Sequence, residues 1–221
     1  MPIKEFPCQP VDSLTIRHCG AVNSPCALCP SHSRMHALRN FIEQATAITR
    51  DHTDPADCVL VLAPLMLALA EEAPGFLLPQ HYQSHPDHYS RNLVHDAPDA
   101  SLSLYTIVWS PGQWTPVHDH GSWGVVGVLQ GVLEERNYVR LSAHGTADDG
   151  IRLARGGVIL LGRGAVTSFV PNPDHIHVTG VPQGRPRAVS LHLYGRMMNS
   201  FNTYDVAAGT RKRVNVVHNE S

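Results

Sequence analysis

The sequence predicts a mainly β barrel with helices on its N-terminal side, and three observations carry that expectation. Before residue 75, one stretch shows apolar residues at helical spacing and a second is apolar nearly all round. From Ser101 onward the chain breaks into many short β-branched or aromatic runs separated by glycines, the pattern of an all-β sandwich or barrel. A length of 221 residues suits one domain with a substantial core.

Taken in order, Met1 to Ser33 is rich in Pro, Cys and Ser with little periodicity, and an irregular arm is expected over 1–33. Its Cys26-x-x-Cys29 pair, with Cys19 nearby, is half of a zinc site or a redox pair, or a set of ordinary reduced thiols; no second CxxC completes a zinc ribbon. Met35 to Arg50 places Leu38, Phe41, Ile42, Ala45 and Ile48 on one helical face. Asp54-Pro55 is a helix start. The run CVLVLAPLMLALAEEA after it is apolar nearly all round, which predicts a buried helix, or two helices broken at Pro64, ended by Ala73-Pro74-Gly75. A helical segment over 34–100 is expected to pack on a barrel formed by 101–221, with 34–221 as one structural domain. Pro79 to Asp99 is polar, and the spacing of His81, His85, His88 and His95 fits no common metal site, so they read as surface-loop histidines.

Ser101 to Trp109 (SLSLYTIVW) is a strand, as is Val132 to Leu141, and Trp123 to Gly131 (WGVVGVLQG) between them is a β-rich apolar run ending at a turn. Glu134 and Glu135 in the last of these are expected to face solvent or form ion pairs. His144 to Gly150 reads as a turn, and 151–153, 157–161 and 165–170 as separate short strands. Ala188 to Gly195 (AVSLHLYG) is a further strand, on which Ser190, His192 and Tyr194 at i, i+2 and i+4 share a face. Polar groups on an inward face need partners, and a Ser–His–Tyr chain supplies its own. The residues after Gly195 are expected to pack back on the barrel, with Met197 or Met198 in the core or the pocket lining.

Chemistry concentrates in Gly112 to Gly131, GQWTPVHDHGSWGVVGVLQG. On an extended strand His118 and His120 point the same way, so both imidazoles reach one point, the start of a metal site. His175 and His177 both qualify by type as a third ligand.

The glycine at 112, the His118-Asp119-His120 triplet and the glycine at 131 resemble the first cupin motif, with Gly124 where that motif has its glutamate. Cupins without the glutamate include the thiol dioxygenases, which hold iron on three histidines. The stretch Tyr89-Ser90-Arg91-Asn92-Leu93-Val94 resembles the YxRNLV segment of the cysteine dioxygenases, and Ser190-Leu191-His192-Leu193-Tyr194 resembles their SxHxY relay. The resemblance covers about Tyr89 to Tyr194. It implies a cupin (double-stranded β-helix, jelly-roll-like) barrel. It also implies Fe(II) on His118, His120 and His177, since the family's third ligand lies fifteen residues before the relay histidine; His175 remains the fallback. Arg91, with Tyr89, would bind the substrate carboxylate through its planar fork. Ser190, His192 and Tyr194 would be the catalytic relay, and Tyr194 has no thiol within reach in sequence for the cross-link some relatives carry, as no cysteine follows Cys58. The implied reaction converts L-cysteine and O2 to cysteine sulfinic acid. 3-Mercaptopropionate or mercaptosuccinate is the alternative substrate, and a non-catalytic metal-binding cupin or small-molecule sensor is the alternative of another class.

Composition trims the remaining classes. Net charge is −2 and the only short basic run is RKR at 211–213, so no nucleic-acid partner is expected. No apolar run reaches the roughly 18 residues of a membrane span. The first residues carry no basic-then-apolar signal, and a cytoplasmic protein is expected. The resemblance adds a monomer acting on a small thiol carboxylate and O2. Five cysteines do not suggest a disulfide framework.

Overall fold

The structure, a computed structural model, describes residues 30–142, 148–171 and 175–219. Helix α1 (Pro30–Asp51) and helix α2 (Pro55–Phe76) come first, then a short 3-10 helix (Pro79–Tyr82). Strands follow: β1 (Ser90–Asp96), β2 (Ser103–Trp109), β3 (Gly124–Gln130), β4 (Val132–Arg140), β5 (Leu153–Gly162), β6 (Val166–Phe169), β7 (Ile176–Gly180), β8 (Ala188–Tyr194), β9 (Ser200–Asp205) and β10 (Thr210–Asn215). Among the described residues they form a five-stranded sheet ordered β1-β2-β8-β3-β6, a three-stranded sheet ordered β5-β4-β7 and the β9–β10 hairpin. Every paired strand is antiparallel. This is a cupin, jelly-roll-like barrel with two N-terminal helices.

The larger sheet is buried on both faces, and the two-residue period sorts its side chains. Leu104, Val125, Leu191 and Leu193 join one apolar cluster with Phe41, Leu62, Met66 and Leu69 of the helices. Tyr105, Val126 and Tyr194 lie in another cluster with Phe169, Met198 and Phe201. Strand β8 runs through the middle, paired with β2 and β3 at once, so His192 stands opposite both Tyr105 and Val126. Between β3 and β4 the chain turns through Gly131 alone, at φ +74°. A Cβ there would lie 2.5 Å from the Arg187 carbonyl oxygen, so both the backbone angle and the space call for glycine.

Several expectations change. Helix α1 takes in residues 30–33, assigned above to the arm, while Cys19, Cys26 and Cys29 lie outside the described residues. Helix α2 is capped by the Asp54 carboxylate, which accepts from the Ala56 N–H at 2.9 Å. It then runs unbroken through Pro64 and Pro74. A proline removes one helical hydrogen bond, and here packing on β3 and β6 outweighs that loss. Nor is α2 buried all round: Leu60 is 72% exposed, and Val61 and Leu67 are exposed as well. Strand β1 pairs with β2, so the sheet begins within the segment read as helical. Residues 153–162 are one strand rather than two: its pairing with β4 continues past Gly156 and Gly157 through a register shift between Arg136 and Tyr138. Of the turn expected at 144–150, residues 144–147 lie outside the described residues. His81 is buried, its Nδ1 accepting from the Leu78 N–H at 3.0 Å.

Candidate metal centre and its cavity

His118 and His120 lie on an extended segment rather than a named strand. Pro111 and Pro116 lack the N–H groups a regular ladder requires. The segment is nevertheless paired on both sides. On the β7 side the Thr115 N–H donates to the Thr179 carbonyl, the Thr179 N–H donates to the Thr115 hydroxyl, and His118 exchanges backbone hydrogen bonds with His177; on the β9 side the Tyr204 N–H donates to the Val117 carbonyl and the Asp119 N–H to the Asn202 carbonyl. His118 is thereby set directly opposite His177: each donates its N–H to the other's carbonyl, at 2.9 and 3.0 Å. Opposed residues of an antiparallel pair present their side chains to the same face. The ring centroids of His118, His120 and His177 lie 4.6 to 5.0 Å apart, and one nitrogen of each lies within 4.8 Å of the others.

These three imidazoles fit a metal. All are buried, and burial is the first cause holding each pKa below the ordinary histidine value; the neighbouring imidazoles lower it further, while Glu135 partly offsets the fall at His177. They are therefore in the neutral form that ligates. His118 Nδ1 lies 3.0 Å from the Pro116 carbonyl oxygen, and His177 Nδ1 lies 3.3 Å from Glu135 Oε2. His177 Nε2 is buried with no protein partner. Tethering one nitrogen to a carbonyl or carboxylate while leaving the other bare is how metal-bound histidines are oriented.

Sequence reasoning missed Glu135. Of the two alternatives expected for it, solvent-facing or ion-paired, the first fails: it is buried, and its other oxygen lies 3.5 Å from His175 Nε2. Burial alone would raise its pKa, but hydrogen bonds from His175 and His177 hold it well below the usual carboxylate range. A buried carboxylate one strand away thus braces the third histidine, and Glu135-x-Asn137 opposite His177 in the β4–β7 register is the only sequence trace of it. His175 does not join the three-histidine group and stands with Glu135 instead. Asp119, also missed, points the other way and accepts from Asn202 Nδ2 and, at 2.6 Å, from the Tyr204 hydroxyl.

Gly124 occupies the place of the cupin glutamate for a steric reason. A Cβ on it would lie 2.3 Å from Phe169 Cζ. The Phe169 ring stacks between His120, at 4.2 Å, and His175, at 4.7 Å, so it has little room to yield.

The cavity beside the three histidines is lined by Tyr89, Arg91, Trp109, His192, Tyr194 and Met198, among others. Arg91 is buried. Its Nη2 donates to the Met198 carbonyl oxygen at 2.7 Å, its Cζ lies 4.6 Å over the Tyr105 ring, and its Nη1 has no protein partner. Among the described residues no carboxylate pairs with it. Arg196 instead donates to the carbonyls of His120, Met197 and Ser200, and it is not part of the cavity wall. On β8, Ser190 Oγ lies 2.8 Å from His192 Nε2, and Tyr194 Oη 3.3 Å from His192 Nδ1. Burial, and then the Arg91 charge, pushes His192 down to about 3; burial raises Tyr194 above the usual phenol range. Both are neutral at physiological pH.

A family model described as cysteine dioxygenase type I matches residues 78–207, more than half of the chain and all of this constellation. The chain belongs to the cysteine dioxygenase type I family. Among solved structures it is similar to a conserved protein with a double-stranded β-helix domain from Klebsiella pneumoniae, at 14% identity and TM-score 0.43 over 59% of this chain and 96% of that one. It is also similar to a cupin-like protein from Thermotoga maritima, at 14% identity and TM-score 0.36 over 63% of this chain and 88% of that one. Membership of the dioxygenase family and the three-histidine cluster together make this chain a dioxygenase-type, metal-binding oxidoreductase. No helix among the described residues is long and apolar enough to cross a membrane.

Proposed function

We propose that the protein is a cytoplasmic, monomeric Fe(II) thiol dioxygenase that oxidises L-cysteine to cysteine sulfinic acid, R–SH and O2 giving R–SO2H. One observation carries the reading. A buried guanidinium with an uncommitted nitrogen shares a cavity with three neutral imidazoles. A desolvated cation without a protein counter-charge calls for an anionic ligand, and the fork of Arg91 suits a carboxylate. The imidazoles of His118, His120 and His177 would hold the metal and leave a face open to the cavity. Fe(II) held there supplies a Lewis acid that lowers the thiol pKa and the redox chemistry that dioxygen requires.

The chain's own groups do the rest. Arg91 fixes the carboxylate and so the distance of the sulfur from the histidines, while Tyr89 walls the same side. Ile107, Leu133, Leu161 and Phe201 give the cavity an apolar lining that excludes water. Tyr194, neutral and oriented by His192 and Ser190, donates a hydrogen bond to an oxygen atom in the cavity. Commitment of Arg196 to backbone carbonyls supports cysteine over 3-mercaptopropionate, because the arginine that the alternative would use after the relay is not free.

The test is oxygen uptake with sulfinate quantified, on Fe(II)-loaded full-length protein given L-cysteine, 3-mercaptopropionate or mercaptosuccinate separately. Sulfinate mainly from cysteine is expected. Turnover mainly of 3-mercaptopropionate or mercaptosuccinate would overturn the substrate and keep the reaction. In a sensor, none of the thiols would turn over, and Tyr194→Phe would leave ligand binding unchanged.

A further inference from the structure

We propose that Trp109 is a positioning residue that sets the direction of the Ser190–His192–Tyr194 hydrogen-bond chain, so that Tyr194 keeps its hydroxyl proton for the cavity. The inference rests on the functional reading above only for its catalytic consequence.

Trp109 Nε1 lies 3.0 Å from Ser190 Oγ, and both residues are buried. An indole N–H donates and never accepts, so the serine oxygen must accept from it. Ser190 is wholly buried, and its hydroxyl meets Trp109 and His192. Its proton is satisfied by going to His192 Nε2, at 2.8 Å. That nitrogen is then an acceptor. A neutral imidazole carries one proton, which must sit on Nδ1. Nδ1 therefore donates to the Tyr194 oxygen, at 3.3 Å, and the phenol proton is left over. Tyr194 lines the cavity, where that proton meets whatever oxygen atom is bound.

Without the indole donor the chain loses its fixed end. Ser190 can then accept from His192 Nε2, the imidazole takes the other tautomer, and Tyr194 donates backwards to Nδ1 with no proton left for the cavity. The three groups named in the relay are compatible with either direction; the donor-only end decides between them.

Trp109→Phe removes the N–H while keeping a ring against Tyr89, whose centroid lies 4.9 Å away. The primary readout is the His192 tautomer in full-length, metal-free protein, from 15N shifts of labelled histidine assigned by the signals lost in His192→Gln. The wild type is expected to be protonated at Nδ1 and bare at Nε2. Trp109→Phe and Ser190→Ala are each expected to shift the population toward the Nε2-protonated form. In the iron-loaded protein, Trp109→Phe is expected to lower kcat by about 10-fold with KM near the wild-type value, the size of loss seen for outer partners of a metal site. A wild-type His192 protonated at Nε2 would overturn the proposal even if the variants fail to fold. So would a Trp109→Phe protein with an unshifted tautomer, whatever its turnover, since the indole would then only pack. Absence of sulfinate from the wild type would sink the dioxygenase reading and leave the tautomer result standing.

Discussion

Glu135 illustrates what a single side chain contributes to the site. Its carboxylate is buried against His177 and His175 and stays ionised there because both rings lie within 3.5 Å. Glu135→Gln keeps the shape and removes the charge that orients His177 Nδ1. Metal affinity is expected to fall by about 10-fold or more, as measured by competition titration with Fe(II) or Co(II). An unchanged affinity would show that the β7 backbone alone sets the histidine. Gly124 makes the complementary point by being small. Gly124→Ala drives a methyl into Phe169, which is itself clamped between His120 and His175. An overpacking cost of about 1–3 kcal/mol is expected in urea unfolding. A wild-type midpoint would mean that the ring can swing away. Gly124→Glu is accordingly not expected to restore a cupin carboxylate ligand.

At the scale of elements, the site exists because β7, β9 and the 113–120 segment lock together. Backbone bonds between His118 and His177 put two histidines 59 positions apart in sequence on one face. The glycine–histidine spacing and the SxHxY strand were legible in the sequence because each is local: period two alone puts Ser190, His192 and Tyr194 on one side. The Arg91 strand was legible only through its family resemblance, since an arginine entering a strand carries no signal of burial. Glu135, Asp119 and Trp109 were not legible, because their partners lie across strand registers that no local pattern encodes. The misread helix has the opposite cause. Pro64 left a break open and the continuous apolar run argued for full burial, yet α2 runs as one helix, packs one face on the sheet and keeps Leu60, Val61 and Leu67 outward. Propensity yielded there to tertiary packing.

Across the whole molecule, burying uncharged histidines ties stability to pH. In the metal-free protein His118, His120, His177 and His192 all have pKa values held below the ordinary 6.5, chiefly by burial. As pH falls through 6.5 the unfolded chain takes up protons at these positions and the folded chain does not, so stability drops. The slope is about 1.4 kcal/mol per pH unit for each histidine that differs between the two states. For His192 that range extends down to about 3. Glu135 acts in a lower range: its folded pKa lies well below 4.5, so its contribution is present above 4.5 and is lost as pH falls further. Urea midpoints of metal-free protein are expected to decline steadily from pH 7 to pH 5; a flat profile would mean that the imidazoles are hydrated or already charged. Under the proposed function the fold and the three histidines serve one chemistry, addition of both atoms of dioxygen to one sulfur. The most direct test of it is mass spectrometry of the product formed from L-cysteine under 18O2 by the iron-loaded protein. Cysteine sulfinate carrying two 18O atoms is expected; a product with oxygen from water, or no oxidised product from protein with bound iron, would contradict the proposed reaction.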